Sequence, residues 1–468
     1  MLSTPQGKKY IQTLEKRYAK RFTKSKEVFA EGAAFYPNQA SHAARTFKPF
    51  PPFIKSAAGN TVTTVDDIEL LDYWQGHFCN ILGHNHPVLI EALQTAIDHQ
   101  LGLQLGLLTT LENELSSLLK ETTGLESYIF TSSGTLSTMS AIMLGLSHTK
   151  RSGVLKLEGG WHGAQPWSLV SVKYPEGINH NLLESSGVPR DWVKETMTVP
   201  LNDVEALQQR FDEDGDRIGV FILELVLGNS GMVMASKEFI QEARKLTRKH
   251  GAVLVIDEMV TGFRVHAGGL FELYEIDPDL VTFGKVVSGG MPFACIAGKK
   301  EILAQASASQ KSRVWADGGT FNSHPASLST AIAVIRYLRE REQDIYPSIL
   351  QMMDTLRSGC KEIMNKHGIL VDVTGTSNDD SMPNFPIGTI RFIKEASLYE
   401  ASRAVQHWNK EALDIDLRDR ISKIALMLKG IYTWQGLGVV THAHTDEDIN
   451  RTLSSYEDFA SEISEIIN

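Results

Sequence analysis

Short apolar segments alternate with amphipathic segments through the middle of the chain, and this alternation restricts the fold more than any other feature. The predicted strands are Ser127–Thr131, Val154–Leu157, Gly219–Glu224, Val253–Asp257, Leu280–Phe283 and Ala294–Ala297. The predicted helices around them are 87–99, 110–122, 135–146, 202–210 and 236–250. Nearly continuous apolar strands that alternate with helices are typical of a mainly parallel sheet flanked by helices on both faces. The sequence therefore predicts an α/β fold.

The length of the chain predicts more than one domain, because 468 residues exceed what a single hydrophobic core usually organises. We expect an N-terminal segment, residues 1–85, that provides a helix over 5–31 and part of a small domain. Residues 86–330 would form the large domain with the sheet. Residues 331–468 would form a smaller α+β domain, with helices over 326–342 and 446–467.

Composition and charge argue against several classes of partner. The formal net charge of -10 disfavours a broad nucleic-acid surface, which needs clustered basic residues. The sequence has no continuous apolar run of the ~18 residues that a membrane span requires. Residues 1–26 lack the apolar core of a signal peptide. The three cysteines are Cys79, Cys295 and Cys360, and no two of them form a CxxC motif. So few, widely spaced cysteines are typical of a protein from a reducing compartment. We therefore expect a cytoplasmic protein.

Two charged residues stand where predicted strands end, at the edge where open α/β sheets bind ligands. Asp257 closes an apolar strand, where a carboxylate needs a partner. It could hold a buried cation such as a pyridinium nitrogen, cap a helix, or pair with Arg264. Lys285 follows the strand that ends at Phe283, where partial desolvation would favour a nucleophilic lysine. A surface lysine with an extended stem is the alternative.

Two loops could supply the rest of a ligand site. Thr131–Thr135 runs from a strand into a helix, where backbone amides and hydroxyls can hold a phosphate, although an ordinary helix cap explains Ser133 equally well. Gly159–Gly163 follows another strand, and Trp161 could stack on a planar cofactor or pack in the core. The nearby pair His84 and His86 has no adjacent third ligand, so we expect no metal site.

Together these motifs resemble those of the class III aminotransferases, which have the pyridoxal 5'-phosphate (PLP)-dependent transferase fold type I. The resemblance covers nearly the whole chain. The segments that carry it are Leu82–Pro87, Ser133–Thr135, Trp161–Gly163, Asp257–Arg264, Phe283–Gly290, Gly318–Asn322 and Ala443–Asp448. It implies an enzyme that moves an amino group from an amino donor, an amine or a carboxylate-bearing amino acid, to a carbonyl acceptor by ping-pong chemistry.

The resemblance also implies roles for individual residues. Lys285 would bind PLP as a Schiff base and shuttle the proton at the substrate α carbon, and Asp257 would keep the pyridine nitrogen protonated. Thr320 would reach the phosphate in a neighbouring subunit, which implies a homodimer with shared active sites. The other implied cofactor contacts are Ser133, Gly134, Thr135, Trp161, His162, Glu224 and Met259.

The substrate side departs from the family pattern. Arg45 matches an arginine that relatives use for a substrate carboxylate, although a solvated loop arginine fits equally well. His77 lies in Gln75–Phe78, where the glutamate-1-semialdehyde 2,1-aminomutases of this family have an SWG-type stretch, and we expect His77 to contact substrate. Trp434–Gly438 lacks a glutamate found in the aminomutases. We therefore expect an aminotransferase, with an aminomutase or a non-catalytic homologue as alternatives. The sequence names neither donor nor acceptor.

Overall fold

The computed structural model describes residues 1–99, 101, 103–173, 183–399 and 404–467. Its strands are β1 Ile54–Ala58, β2 Thr61–Thr64, β3 Glu69–Asp72, β4 Ser127–Thr131, β5 Gly153–Leu157, β6 Thr196–Val199, β7 Ile218–Leu223, β8 Val226–Leu227, β9 Val233–Met234, β10 Val253–Glu258, β11 Leu280–Phe283, β12 Ala294–Gly298, β13 Val371–Val373, β14 Ile387–Gly388, β15 Ile390–Phe392, β16 Ile431–Tyr432 and β17 Gly438–Val439.

The α-helices cover both faces of the large sheet and build the two ends of the chain. They are Pro5–Arg21, Thr23–Glu31, Pro87–Asp98, Thr110–Thr123, Gly134–Thr149, Arg190–Val193, Val204–Asp214, Lys237–His250, Lys300–Leu303, Pro325–Glu340, Glu342–Lys366, Ser422–Met427 and Asp446–Ile467. None of the helices in the described part of the chain is long and apolar enough to cross a membrane.

A seven-stranded sheet forms the centre of the molecule, in the order β4-β12-β11-β10-β7-β5-β6. Neighbouring strands are parallel except where β12 runs antiparallel to both β11 and β4. The predicted mainly parallel sheet is therefore confirmed. β6 was not predicted, because the sequence has no continuous apolar run there; it forms one edge of the sheet. The parallel register aligns Asp257 of β10 with Thr282 of β11 at the carboxyl end of both strands.

The strands of this sheet are buried on both faces. Every residue of β7 and β10 is buried, and helix Gly134–Thr149 packs across one face with Ala141, Ile142 and Leu144 wholly enclosed. Removal from water contributes about 1.5–3 kcal/mol for a side chain the size of Ile142 or Leu144. This core fixes the strand ends, and with them the polar residues that follow the strands.

The single helix predicted over 5–31 is wrong, because the chain forms two helices that meet at Phe22. Phe22 has φ −112° and ψ 52°, and its ring is fully buried against Tyr18, with 4.6 Å between ring centroids. The carboxylate of Asp66 accepts the N–H groups of Lys24 (2.7 Å) and Ser25 (3.2 Å) and so satisfies the start of the second helix. A capping residue so distant in sequence leaves no local signal.

Both ends of the chain contribute to a second region beside the large sheet. The N-terminal strands β1, β2 and β3 form a four-stranded sheet with β16, in which β16 runs parallel to β3. The long helices Glu342–Lys366 and Asp446–Ile467 pack against each other in the same region. The domain limits given above remain a prediction. The arrangement brings the loop that follows β3 toward the carboxyl edge of the large sheet.

Candidate active site

Asp257 is a buried carboxylate at the carboxyl end of β10, and its side chain is held by three donors. It is 3% exposed. Its Oδ2 lies 2.7 Å from His162 Nδ1, and its Oδ1 accepts hydrogen bonds from Thr282 Oγ1 (3.1 Å) and from the backbone N–H of Met259 (3.0 Å). Arg264 is not its partner, since Arg264 donates to the carbonyls of Val260 and Phe78. The carboxylate is therefore fixed, and it keeps lone pairs for a further donor.

Lys285 begins a short 3-10 turn directly after β11 and lies close to the other strand ends. Its backbone has φ +48°, the left-handed region that a non-glycine residue rarely adopts. The side chain is half-buried. Its positive charge lowers the pKa of His77 and opposes the burial that raises the pKa of the Cys79 thiol. The ammonium therefore lies within electrostatic range of His77 and Cys79.

The N-terminus of helix Gly134–Thr149 opens at the same edge, directly after β4. Ser133 is the N-cap, and its Oγ accepts the N–H of Leu136 at 3.4 Å. The first amides of a helix have no partner within the helix and attract anions. The loop that carries Trp161 closes over this start, because Thr135 Oγ1 accepts the N–H of Ala164 at 3.3 Å. Ser133, Gly134 and Thr135 are thus positioned to hold a phosphate.

Gly163 is the point of closest approach between these two loops. Its φ is +83°, and a Cβ added there would lie 2.7 Å from Thr135 Cα. A real Cβ cannot occupy that position without displacing the backbone. The close approach accounts for glycine at this position.

Met259 connects the helix start with the lysine loop. Its Sδ would lie 2.9 Å from a Cβ at Gly134 and 2.6 Å from a Cβ at Gly284, the residue before Lys285. The thioether therefore lies between the start of helix Gly134–Thr149 and the residue that precedes Lys285. Small residues at both glycine positions leave room for this side chain.

Glu224 is a second buried carboxylate, placed immediately after β7. It is 5% exposed, and its Oε1 accepts the N–H of Trp161 at 2.8 Å while Oε2 accepts the N–H of Gly228 at 3.2 Å. Burial raises its pKa to about 7; His162 opposes this rise and Asp257 adds to it. Glu224 therefore positions the Trp161 loop. Trp161 itself is 41% exposed, so it is not a core residue.

Arg45 and His77, which lie 32 positions apart in the sequence, meet on the open side of this cleft. Arg45 Nε donates to His77 Nε2 at 3.3 Å. Burial and, to a smaller extent, the charges of Arg45, His42 and Lys285 together lower the pKa of His77 to about 4. His77 is therefore a neutral hydrogen-bond acceptor near neutral pH. The structure brings both predicted substrate residues together, and His77 lies within electrostatic range of Lys285.

His77 lies in a turn of four consecutive left-handed residues, Gln75–Phe78, with φ values of 42°, 61°, 59° and 70°. Each non-glycine residue in this conformation costs about 1–2 kcal/mol. The Asp72 carboxylate offsets part of that cost by accepting the N–H groups of Trp74 (2.7 Å) and Gln75 (3.0 Å). Buried Arg264 donates to the carbonyl of Phe78. Strain held by surrounding structure is often found at functional sites.

Comparisons with known proteins identify the family of this chain. Residues 42–377 match the family pattern described as aminotransferase class-III. A glutamate-1-semialdehyde 2,1-aminomutase from Methanosphaera stadtmanae is 33% identical over 442 residues, covering 93% of this chain and 98% of the relative. The chain belongs to the class III aminotransferases. Another relative of the same name, from Caldivirga maquilingensis, is 36% identical over 321 residues, 68% of this chain and 73% of the relative.

Solved structures of class III aminotransferases and their neighbours share the fold. A β-phenylalanine aminotransferase from Variovorax paradoxus superimposes with a TM-score of 0.84 at 22% identity and covers 98% of both chains. A glutamate-1-semialdehyde aminomutase from Pseudomonas aeruginosa superimposes with a TM-score of 0.83 at 20% identity, covering 97% of this chain and 98% of the other. The predicted fold type I is confirmed.

Membership in the class III aminotransferases also confirms the predicted enzyme class and its cofactor, PLP. The residues present fit that cofactor. Asp257 offers an anchored carboxylate for a ring nitrogen, and the helix that begins at Gly134 offers unpaired amides for a phosphate. Among the described side chains, buried His162 also keeps Nε2 without a hydrogen-bond partner. A polar ligand in this cleft would find both donors and acceptors.

Thr320 stands apart from the other predicted cofactor residues of this class III aminotransferase. It is exposed, and its carbonyl accepts a hydrogen bond from Gln104 Nε2. The nearby Gly318 carbonyl accepts the N–H of Ser132 at 3.3 Å, so the loop lies beside the start of helix Gly134–Thr149. No hydrogen bond among the described residues joins the Thr320 side chain to Asp257 or Lys285 of the same chain.

Sequence reasoning missed three supporting residues. Thr282 fixes the Asp257 carboxylate, whereas Asp72 and Arg264 hold the turn that contains His77. Thr282 had a usable signal, since aligning the ends of two neighbouring parallel strands places it beside Asp257. Asp72 and Arg264 act on a turn far from them in sequence, so no local pattern identifies their partners.

Proposed function

We propose that this class III aminotransferase moves an amino group from a carboxylate-bearing amino acid or amine to a separate carbonyl acceptor. One observation carries the choice of reaction. The two segments that depart from the aminomutase pattern, Gln75–Phe78 and Trp434–Gly438, meet in one wall of the cleft. The rings of Trp434 and Trp74 stack with 5.2 Å between centroids, and Phe78 contacts Trp434 edge-on at 5.1 Å. The changes are thus concentrated where a substrate would bind, while the cofactor side is retained.

PLP, when bound, acts as an electron sink that stabilises negative charge at the carbon bearing the amine. In our proposal, Lys285 Nζ would hold the cofactor covalently and, once the substrate amine has taken its place, the freed Lys285 amine would carry a proton to and from that carbon. Asp257 holds the protonated ring nitrogen, and His162 with Thr282 holds Asp257 in place. A fixed carboxylate in a buried site stabilises positive charge more strongly than one in water. The role of Asp257 is supported by its buried contacts with His162 at 2.7 Å and Thr282 at 3.1 Å.

The remaining residues would bind and orient the cofactor. Ser133, Gly134 and Thr135 would hold the phosphate with backbone amides and hydroxyls at the start of the helix. Trp161 and Met259 would pack on the two faces of the ring. Glu224, which accepts the N–H of Trp161, would keep that ring oriented.

We also propose a homodimer in which Thr320 reaches the phosphate bound by the partner subunit. An exposed apolar patch beside Thr320 supports the dimer; its members are between 61% and 87% exposed and are Leu103, Leu107, Leu108, Trp315 and Phe321. Large apolar side chains exposed in one part of the surface often mark an interface. Sedimentation of the holoenzyme tests the dimer, and a monomeric Leu107→Glu, Leu108→Glu variant with normal cofactor affinity would argue against the shared site. The cytoplasmic location remains a prediction from the sequence.

The relatives named as glutamate-1-semialdehyde 2,1-aminomutase favour a second candidate function, an intramolecular aminomutase. The two candidates differ in their need for a second substrate. An aminotransferase converts bound PLP to its amino form with a donor alone and releases product amine only when a carbonyl acceptor is added. An aminomutase isomerises one amino-aldehyde without any acceptor.

The deciding experiment is a donor–acceptor screen that follows the visible absorbance of the bound cofactor and the products by mass spectrometry. We expect at least one amino acid or amine donor to change the spectrum, and the change to reverse on addition of a carbonyl acceptor. The Lys285→Ala variant is the control and should show neither change at a comparable rate. Isomerisation of an amino-aldehyde in the absence of an acceptor would instead establish the aminomutase, and no response to any donor would favour a non-catalytic homologue.

A further inference from the structure

The turn Gln75–Phe78 holds His77 in one orientation. Besides the bonds from Asp72 and Arg264, the Gln75 side chain donates to the carbonyl of Asp72 at 3.1 Å, and His84 Nε2 lies 2.8 Å from the Asp72 carboxylate. The following residues pack on the lysine loop, since a Cβ at Gly290 would lie 3.1 Å from Asn80 Oδ1. The turn is therefore braced against the same loop that carries Lys285.

His77 in turn restrains Arg45, which otherwise sits on an exposed 3-10 turn, Ala43–Arg45. The hydrogen bond uses only Arg45 Nε, so within the described residues the two terminal nitrogens of the guanidinium stay available to a ligand. A guanidinium held by Nε presents that pair to a carboxylate in the two-pronged geometry that arginine prefers. The neutral imidazole is the acceptor that makes this possible, and its low pKa follows from burial and from the cations around it.

Aromatic rings line the pocket next to this pair. Trp74 contacts the His77 ring with 4.3 Å between centroids and stacks on Trp434, and both indoles are half-buried. The Trp74 ring thus contacts the same His77 side chain that accepts the hydrogen bond from Arg45. Flat, apolar surface of this kind favours an aromatic or similarly apolar group on the ligand. The positively charged Arg45 and the aromatic side chains of Trp74 and Trp434 are therefore linked through His77.

We propose that His77 is a specificity-determining residue that aims Arg45 at the carboxylate of an amino-acid substrate whose remaining group is aromatic or otherwise flat and apolar. This inference rests on the proposed function, since it places the pocket beside the lysine that carries the cofactor. His77 acts through Arg45 and is a positioning residue. Trp74 and Trp434 bind the apolar body of the substrate.

The test measures binding to the holoenzyme by calorimetry and needs no turnover. The probes are 3-phenylpropanoate, its neutral analogue 3-phenylpropan-1-ol, and propanoate, which lacks the ring. We expect 3-phenylpropanoate to bind at least ~10-fold more tightly than either other probe. A factor of this size corresponds to the free energy of one charge-assisted hydrogen bond, which the alcohol lacks, or of one buried ring, which propanoate lacks. Equal affinity for the acid and the alcohol would refute the carboxylate site, and equal affinity for 3-phenylpropanoate and propanoate would refute the aromatic wall.

Variants at His77 test the positioning role. His77→Phe keeps a ring but loses the acceptor, and should weaken 3-phenylpropanoate about 10-fold while leaving the alcohol unchanged. His77→Gln keeps an acceptor and should restore most of the loss. His148→Gln, at an exposed position in the last turn of helix Gly134–Thr149, is the matched control. Equal loss for acid and alcohol, or no rescue by glutamine, would show that His77 is only structural.

The inference and the proposed function fail in different ways. An enzyme that transaminates but shows no dependence of carboxylate affinity on His77 overturns the inference alone. An enzyme that shows the predicted binding pattern yet needs no carbonyl acceptor overturns the proposed aminotransferase reaction and leaves the pocket in place.

Discussion

Replacing Gly163 with alanine should weaken cofactor binding by a predictable amount. Alanine at φ +83° costs about 1–2 kcal/mol in backbone strain. A Cβ placed 2.7 Å from Thr135 Cα adds about 1–3 kcal/mol of overpacking unless the two loops separate. Separation moves Thr135 and the helix start away from the phosphate. The two costs together are about 2–5 kcal/mol. If separation of the loops relieves about half of this cost, the free energy of PLP binding weakens by the same amount, and the Kd for PLP rises about 5- to 60-fold.

Gly124 provides the matched control for Gly163→Ala. It also has a positive φ, +68°, but a Cβ there meets nothing within 4 Å. Gly124→Ala should therefore lower the free energy of unfolding through strain alone and leave the Kd unchanged. Both quantities are measured by titrating apoenzyme with PLP and by urea unfolding of the holoenzyme. Wild-type affinity in Gly163→Ala, or an equal loss in Gly124→Ala, would refute the proposed packing of the two loops.

Three further predictions concern the buried polar groups. Asp257→Asn should lower kcat about 10²- to 10³-fold with PLP still bound, because it removes a fixed charge opposite the ring nitrogen; steady-state kinetics and the absorbance spectrum check this. For Glu224, burial raises the native pKa from 4.5 to about 7. Between pH 4.5 and pH 7 the native state therefore keeps a proton on Glu224 that the unfolded state has released. Relative to the Glu224→Gln variant, the wild-type free energy of unfolding should be highest below pH 4.5 and fall by about 3 kcal/mol as pH rises past 7, as urea titrations across that range would show; a constant difference would contradict it. Arg264→Met should raise KM with little change in kcat and lower stability by about 2–3 kcal/mol, since it removes the buried donor to the Phe78 carbonyl.

The parts of the fold with a strong local pattern were predictable from the sequence. The strands Ser127–Thr131 and Leu280–Phe283 occur with the predicted limits, because each is a short apolar run bounded by polar residues. β6 was missed although its four residues, Thr196–Val199, alternate threonine with apolar residues as strands do, because the strand prediction rested on nearly continuous apolar runs. The antiparallel direction of β12 depends on its neighbours β11 and β4, which no single segment specifies.

The candidate site follows the same rule. Asp257 and Lys285 were identifiable because a charged residue after a buried strand is unusual and both belong to family motifs. The contact between Arg45 and His77 could not be predicted as a pair, because it depends on a left-handed turn in which only Gly76 signals the conformation. The break at Phe22 likewise depends on Asp66, a tertiary partner.

The identity of the lysine that binds PLP tests the account most directly. Borohydride reduction of the holoenzyme, followed by peptide mass spectrometry, records which lysine carries the cofactor. The chain offers a competing site in Lys156, which is fully buried, donates to the carbonyl of Val170 at 2.7 Å, and has its pKa lowered to about 8 by burial. We predict the reduced cofactor on Lys285 alone, and none in Lys285→Ala. A label on Lys156 or on any other lysine of the wild-type enzyme would contradict the account.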